Sequence, residues 1–139
     1  MAPSHRMNVL AFGTFDGVHP GHENFFEQAS KLGNLTVVIA RDATVQAVKH
    51  RTPDHDEATR QALVQAQPTV QKAILGNTGN KYDVILAEKP DIIALGYDQT
   101  HFTEKLASWL AEHLPDTQVV RLEPFHPDKY KTSKRYINK

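Results

Sequence analysis

The chain has 139 residues, 40% of them hydrophobic and 23% charged, enough for one compact domain with a core of its own. Sixteen basic side chains balance sixteen acidic ones, so a net charge of zero offers no general attraction to nucleic acid or to an anionic membrane surface. The absence of cysteine excludes disulfides, thiolate metal sites and a cysteine nucleophile, and fits a cytoplasmic protein.

The opening MAPSHRMN is polar, with no apolar signal region. Met7 is an alternative start, with MAPSHR an extension before it, and residues 1–7 are expected to form a flexible lead into a single domain spanning 1–139. No apolar run approaches the roughly 18 residues that a membrane-spanning helix needs. Residues 8–12 (NVLAF) read as a buried strand. Residues 22–32 read as a helix, because Phe25, Phe26, Ala29 and Leu32 recur at spacings of three and four, and Gly33 stops it. Residues 35–40 (LTVVIA) are continuous and β-branched, as a parallel strand covered on both faces should be.

Residues 41–53 are polar and irregular, which predicts a loop or a short helix. From Asp56 the text DEATRQALVQAQ predicts a helix with acidic residues in its first turn, ended by Pro68. Residues 72–75 are a short strand, GNTGN a loop, and residues 81–88 a helix. Residues 91–95 (DIIAL) form a strand followed by the loop GYDQ. Residues 103–114 form a helix with Leu106, Trp109, Leu110 and Leu114 on one face, and residues 117–122 the last strand. The tail carries Pro124 and Pro127, then a short helix from Thr132.

Five strands separated by helices predict an α/β fold: a doubly wound, Rossmann-like parallel sheet with helices on both faces and right-handed crossovers. Ligands of such sheets bind beyond the carboxyl ends of the strands, where strand order reverses. With the order 3-2-1-4-5, the loops meeting there are GTFDGVHPGH and GYDQ.

The first loop has the properties of a phosphate cradle. Gly13, Gly17 and Gly21 let backbone approach a ligand closely. Pro20 suits the first position of a helix, which makes His19 the N-cap and puts His22 in the first turn. Free N–H groups there favour an anion, and Thr14 adds a hydroxyl. A helix start disfavours imidazolium, so His22 is expected neutral when empty, with bound triphosphate raising its affinity for a proton. Two imidazoles three apart also match part of a zinc site, but the other histidines supply no matching spacing. A plain glycine-rich turn is the third alternative. No G-x-G-x-x-G fingerprint is present in the loop.

GTFDGVHPGH resembles the GTFD-x-x-H-x-G-H signature of the nucleotidyltransferases that include glycerol-3-phosphate cytidylyltransferase, pantetheine-phosphate adenylyltransferase and FAD synthetase. VVIARDATV, DEATRQAL, KAILG and KPDIIALGYDQ resemble the archaeal-type FAD synthetases, and LGYDQ favours that branch over the cytidylyltransferases. The resemblance implies transfer of AMP from ATP to FMN with release of pyrophosphate and no covalent enzyme intermediate. The alternative within the family is a cytidylyltransferase using CTP and glycerol-3-phosphate or another small phosphate. A nucleotide-binding module without catalysis is the alternative outside it.

By that resemblance His19 and His22 stabilise the transition state and Lys49 lies on a loop over the phosphates. Gly13, Thr14, Phe15, Pro20, Gly21 and Gly96 line the nucleotide, Asp98 lies near its sugar or base, and Tyr97 is a phosphate or substrate contact. Magnesium accompanies the triphosphate with few protein ligands, and no protein metal site is expected. Arg60 matches a family arginine that faces either the phosphates, the reading preferred here, or an acidic helix neighbour. Asp16 either orients the loop or reaches the metal. Thr132 and Ser133, beside Lys131, Lys134 and Arg135, would bind the outgoing phosphates, although Lys134 and Arg135 interrupt the family's pattern before Ile137. Phe102, Phe125 and Tyr130 are candidates to stack on flavin. The implied partners are small molecules, a nucleoside triphosphate and a phosphorylated acceptor, with no nucleic acid or membrane. Relatives are often homodimers.

Overall fold

In the computed structural model five parallel strands line up in the order β3-β2-β1-β4-β5. The structure describes residues 7–18, 20–76, 82–96 and 103–123, without the side chains of residues 48, 49, 103 and 104. The strands are β1 (Asn8–Gly13), β2 (Asn34–Ile39), β3 (Lys72–Leu75), β4 (Ile92–Leu95) and β5 (Gln118–Arg121). The helices are α1 (Pro20–Ser30), α2 (Asp42–Lys49), α3 (Glu57–Gln65), α4 (Tyr82–Glu88) and α5 (Thr103–His113). The predicted strand order and helix placement are borne out.

Two apolar layers sandwich the sheet. Alternate side chains of β1 and β2 (Val9, Ala11, Leu35, Val37, Ile39) pack under Phe26 and Ala29 of α1 and Val64 of α3. The intervening positions, Leu10, Val38, Ile93 and Leu95, pack under Val84 and Ile85 of α4 and Leu106 and Leu110 of α5. Strands covered on both faces need apolar residues at consecutive positions, which is why β2 and β4 read as continuous runs. Each of the valine, leucine, isoleucine and phenylalanine side chains contributes roughly 1.5–3 kcal/mol of burial free energy.

Several boundaries differ from expectation. The first helix begins at Pro20 and ends at Ser30, earlier at both ends than predicted. Proline at the first helical position forfeits no intrahelical bond, so the helix can begin there. The 41–53 stretch opens as α2, closed by His50 in the left-handed region (φ 57°) with its N–H bonded to the Gln46 carbonyl. The helix after Asp56 closes at Gln65, with Ala66 as its cap, so it ends before Pro68. The short helix expected from Thr132 lies outside the described residues.

Acidic side chains join the starts of α2 and α3. Glu57 accepts the Asp42 N–H (2.7 Å) and pairs with Arg41 (3.0 Å), while Asp42 accepts the Glu57 N–H (3.3 Å). Asp56 caps α3 by accepting the Thr59 N–H (2.8 Å), and this bonding to Thr59 holds its pKa below the usual 3.8. The reciprocal caps fix the two helices against each other just beyond the carboxyl end of β2.

Candidate active site

Register places the starts of the two suspect loops, Gly13 and Gly96, side by side. Ala11 of β1 pairs with Ala94 of β4, so Gly13 and Gly96, two residues further along each strand, stand level. This is the point of reversal: β1 leads toward β2 and β3, with α1 and α3 on one face, while β4 leads toward β5, with α4 and α5 on the other. The Gly96 carbonyl accepts from Arg121 Nη1 (2.8 Å), tying that loop to the end of β5.

The motif loop after β1 is built around Phe15. Its backbone lies in the left-handed region (φ 52°), sparsely used by residues with a side chain, and its ring is buried at 7% exposure. The ring packs against Phe26 (centroids 5.1 Å apart) and Phe25 (6.3 Å), and edge-on against the His22 imidazole (5.2 Å, 78°). The side chain is therefore an anchor, and only the Phe15 backbone is left to face a ligand. Gly13 makes room for this anchor, because a Cβ there would lie 2.6 Å from two ring carbons of Phe15. We expect Gly13→Ala to displace the ring and cost about 1–3 kcal/mol, measurable as a lowered urea midpoint. Gly17 supplies the second positive φ (94°) that returns the chain toward α1.

Two polar clamps hold the loop from behind. Asp16, with its side chain 10% exposed, accepts the N–H groups of Asp54 (2.7 Å) and His55 (2.8 Å) and lies 3.0 Å from His55 Nδ1. Arg51 stands 3.8 Å away. Burial pushes the Asp16 carboxyl up, but the Asp54 N–H, the His55 ring and the His55 N–H outweigh it and lower its pKa from 3.8 to about 2. A depressed carboxylate contributes stability above its unfolded value and loses it as pH falls through the folded one. Wild type is therefore expected to lose stability between pH 4 and pH 2 more steeply than Asp16→Asn, as read from urea midpoints across that range.

Arg60 forms the second clamp, and the structure corrects the preferred reading of this residue. Its side chain is fully buried rather than turned toward a phosphate site. Nε donates to the His55 carbonyl (3.0 Å), and Nη1 donates to the carbonyls of Thr14 (2.9 Å) and Ala40 (2.8 Å). Nη2 donates to Asp42 Oδ1 (2.7 Å), the acidic helix neighbour. One guanidinium thus joins the motif loop, the end of β2, the start of α2 and the segment before α3.

A family model described as cytidylyltransferase-like matches residues 10–137. The chain belongs to the cytidylyltransferase-like family. Its similarity to FAD synthases spans most of the sequence. It is 43% identical over 136 residues to a FAD synthase of Archaeoglobus profundus, covering 96% of this chain and 85% of that protein. It is 36% identical over 134 residues to a FAD synthase of Aciduliprofundum boonei, covering 96% of this chain and 89% of that protein. A crystal structure titled as a lipopolysaccharide core biosynthesis protein of Thermoplasma volcanium superposes with a TM-score of 0.81 at 37% identity, covering 88% of this chain and all of that one. A protein of unknown function from Archaeoglobus fulgidus shares the fold, with a TM-score of 0.66 at 17% identity, covering 96% of this chain and 97% of that one.

Within this family fold, Gly13, Thr14, Phe15, Asp16, Pro20, Gly21, His22 and Gly96 all lie at the carboxyl ends of β1 and β4 or in the first turn of α1. Pro20, Gly21 and His22 open α1, at the positive end of its dipole. Lys49, expected on a loop, instead closes helix α2 with its backbone, and its side chain lies outside the described residues. His19, Tyr97, Asp98, Phe102, Phe125, Tyr130, Lys131, Thr132, Ser133, Lys134 and Arg135 also lie outside them. Asp42 and His55 were missed by sequence reasoning. The RD pair before α2 and the DHDE run before α3 were the available signals, but neither shows which side chain it will meet.

No described helix is long and apolar enough to cross a membrane. Among the described residues no group of three or more acidic, histidine or cysteine side chains could hold a metal. A cleft of about 320 Å³, lined by Asn8, Thr36, Gln71, Lys72 and Glu88 among others, lies at the amino ends of the strands, away from the motif. By the rule for open α/β sheets, the carboxyl-end crevice is the better candidate.

Proposed function

We propose that this protein is a FAD synthase that transfers AMP from ATP to FMN. The observation that carries the reading is the 43% identity to a FAD synthase along almost the whole chain, motif loop included. In the proposed reaction a phosphate oxygen of FMN attacks the α-phosphorus of ATP. The bond from that phosphorus to the oxygen bridging to the β-phosphate breaks, and pyrophosphate leaves with the bonding electron pair.

The protein's part is positioning and charge stabilisation. His19 and His22 donate hydrogen bonds to phosphate oxygens as negative charge builds. The start of α1 offers N–H groups and its positive dipole end to the same anion. Thr14 and the Phe15 backbone complete the cradle, and Lys49 adds a cation above it. By the family resemblance Gly96 would line the nucleotide, Asp98 its sugar or base, Tyr97 and Lys131 the substrate or its phosphates, Thr132 and Ser133 the outgoing phosphates, and Phe125 the flavin. A divalent magnesium arriving with the triphosphate would neutralise phosphate charge. The donor chemistry fits an ion carried by substrate, because Asp16, the motif-loop carboxylate, already accepts two N–H groups and faces His55.

The cytidylyltransferase-like description of the family favours a second reading, CTP with a small phosphate acceptor. A matrix of ATP or CTP against FMN, glycerol-3-phosphate and phosphosugars, with magnesium and pyrophosphate as readout, separates the two. Turnover with ATP and FMN alone supports the proposal. Turnover with CTP and glycerol-3-phosphate, and none with FMN, overturns it.

A further inference from the structure

His55 lies outside the signature loop, yet its ring, backbone N–H and carbonyl all serve that loop. The imidazole Nδ1 and the N–H both reach Asp16 Oδ1 (3.0 and 2.8 Å), and the carbonyl takes the Arg60 Nε–H (3.0 Å). The imidazole Cε1 lies 3.8 Å from where a Cβ on Gly17 would stand, so the ring borders the turn that leads into α1. The buried Pro53 stiffens the segment that delivers it. The same Arg60 guanidinium holds the Thr14 carbonyl, so the GTFD run is held at Thr14 as well as at Asp16.

We propose that His55, acting through Asp16, is a positioning residue that latches the motif loop in its phosphate-facing shape. It stands behind the loop and touches no reacting atom. Its effect on turnover rests on the transferase reading above, whereas the latch itself can be read without any substrate. The imidazole adds one donor to a carboxylate that already accepts two backbone N–H groups. Removing it loosens the Phe15–Gly17 turn, in which the Gly17 N–H donates to the Phe15 carbonyl (2.9 Å).

The test compares wild type, His55→Ala and His55→Asn, since an asparagine amide can donate to Asp16 from nearly the position of Nδ1. Hydrogen exchange of the Gly17 amide and steady-state kinetics with ATP and FMN are the two readouts. In His55→Ala the Gly17 amide is expected to exchange about tenfold faster, the size of one charge-assisted hydrogen bond. The same variant should lose about three- to tenfold in kcat with KM for ATP within twofold, as for a displaced donor. His55→Asn should restore both readouts to within about twofold of wild type. Unchanged Gly17 exchange in His55→Ala would overturn the latch. Faster exchange with wild-type kcat would overturn its role in positioning. If wild type makes no FAD under any condition, the transferase reading falls, and the exchange comparison still decides whether the latch exists.

Discussion

Replacing His22 by alanine is expected to lower turnover about 10²–10³-fold while leaving the fold intact, the usual cost of deleting one donor aimed at developing charge. His22 lies in the first turn of α1, partly exposed, with its ring seated edge-on against the buried Phe15. Its loss removes little burial, so the urea midpoint should move by less than the equivalent of about 1 kcal/mol. The loss should fall on kcat more than on KM for ATP, because the interaction grows only as the transition state forms. His19→Ala should behave alike. Wild-type kcat in both variants would remove the histidines from the reaction.

The second large effect is on stability. Arg60→Met keeps most of the volume and removes a guanidinium that bridges four segments. Asp42 is 40% exposed and can be solvated after the change. The main cost therefore comes from the carbonyls of Thr14, Ala40 and His55, which lose a buried charged donor. Breaking such a buried network by removing one member costs about 3–5 kcal/mol. For a domain of this size that is a fall of about 10–15 °C in melting temperature. Arg60→Lys keeps the charge but has no planar fork, so it should recover only a small part. A loss below about 1 kcal/mol in Arg60→Met would mean that the clamp carries little of the loop's order.

The sheet was readable from sequence because strands buried on both faces write themselves as apolar runs. LTVVIA and DIIAL fix β2 and β4 this way, and the crossovers then order the sheet. α2 was harder: its sequence DATVQAVK has Val45 as its buried anchor, too little periodicity to separate helix from loop. The strand–turn–helix shape of residues 11–26 was readable because glycine and proline have local consequences. The inward turn of Arg60 was not, since its partners Thr14, Ala40 and Asp42 come from 46, 20 and 18 residues away. The same holds for Asp16, whose partner His55 lies 39 residues along the chain.

The most direct test of the central claim is a positional label. Purified protein is incubated with magnesium, FMN and ATP labelled at the α-phosphorus, and flavin products are separated from pyrophosphate. Label is expected in FAD, with unlabelled pyrophosphate in equal amount, and both should be lost in His22→Ala. Label absent from flavin, with CTP labelled at its α-phosphorus and a small phosphate ester giving a labelled CDP product instead, would contradict it.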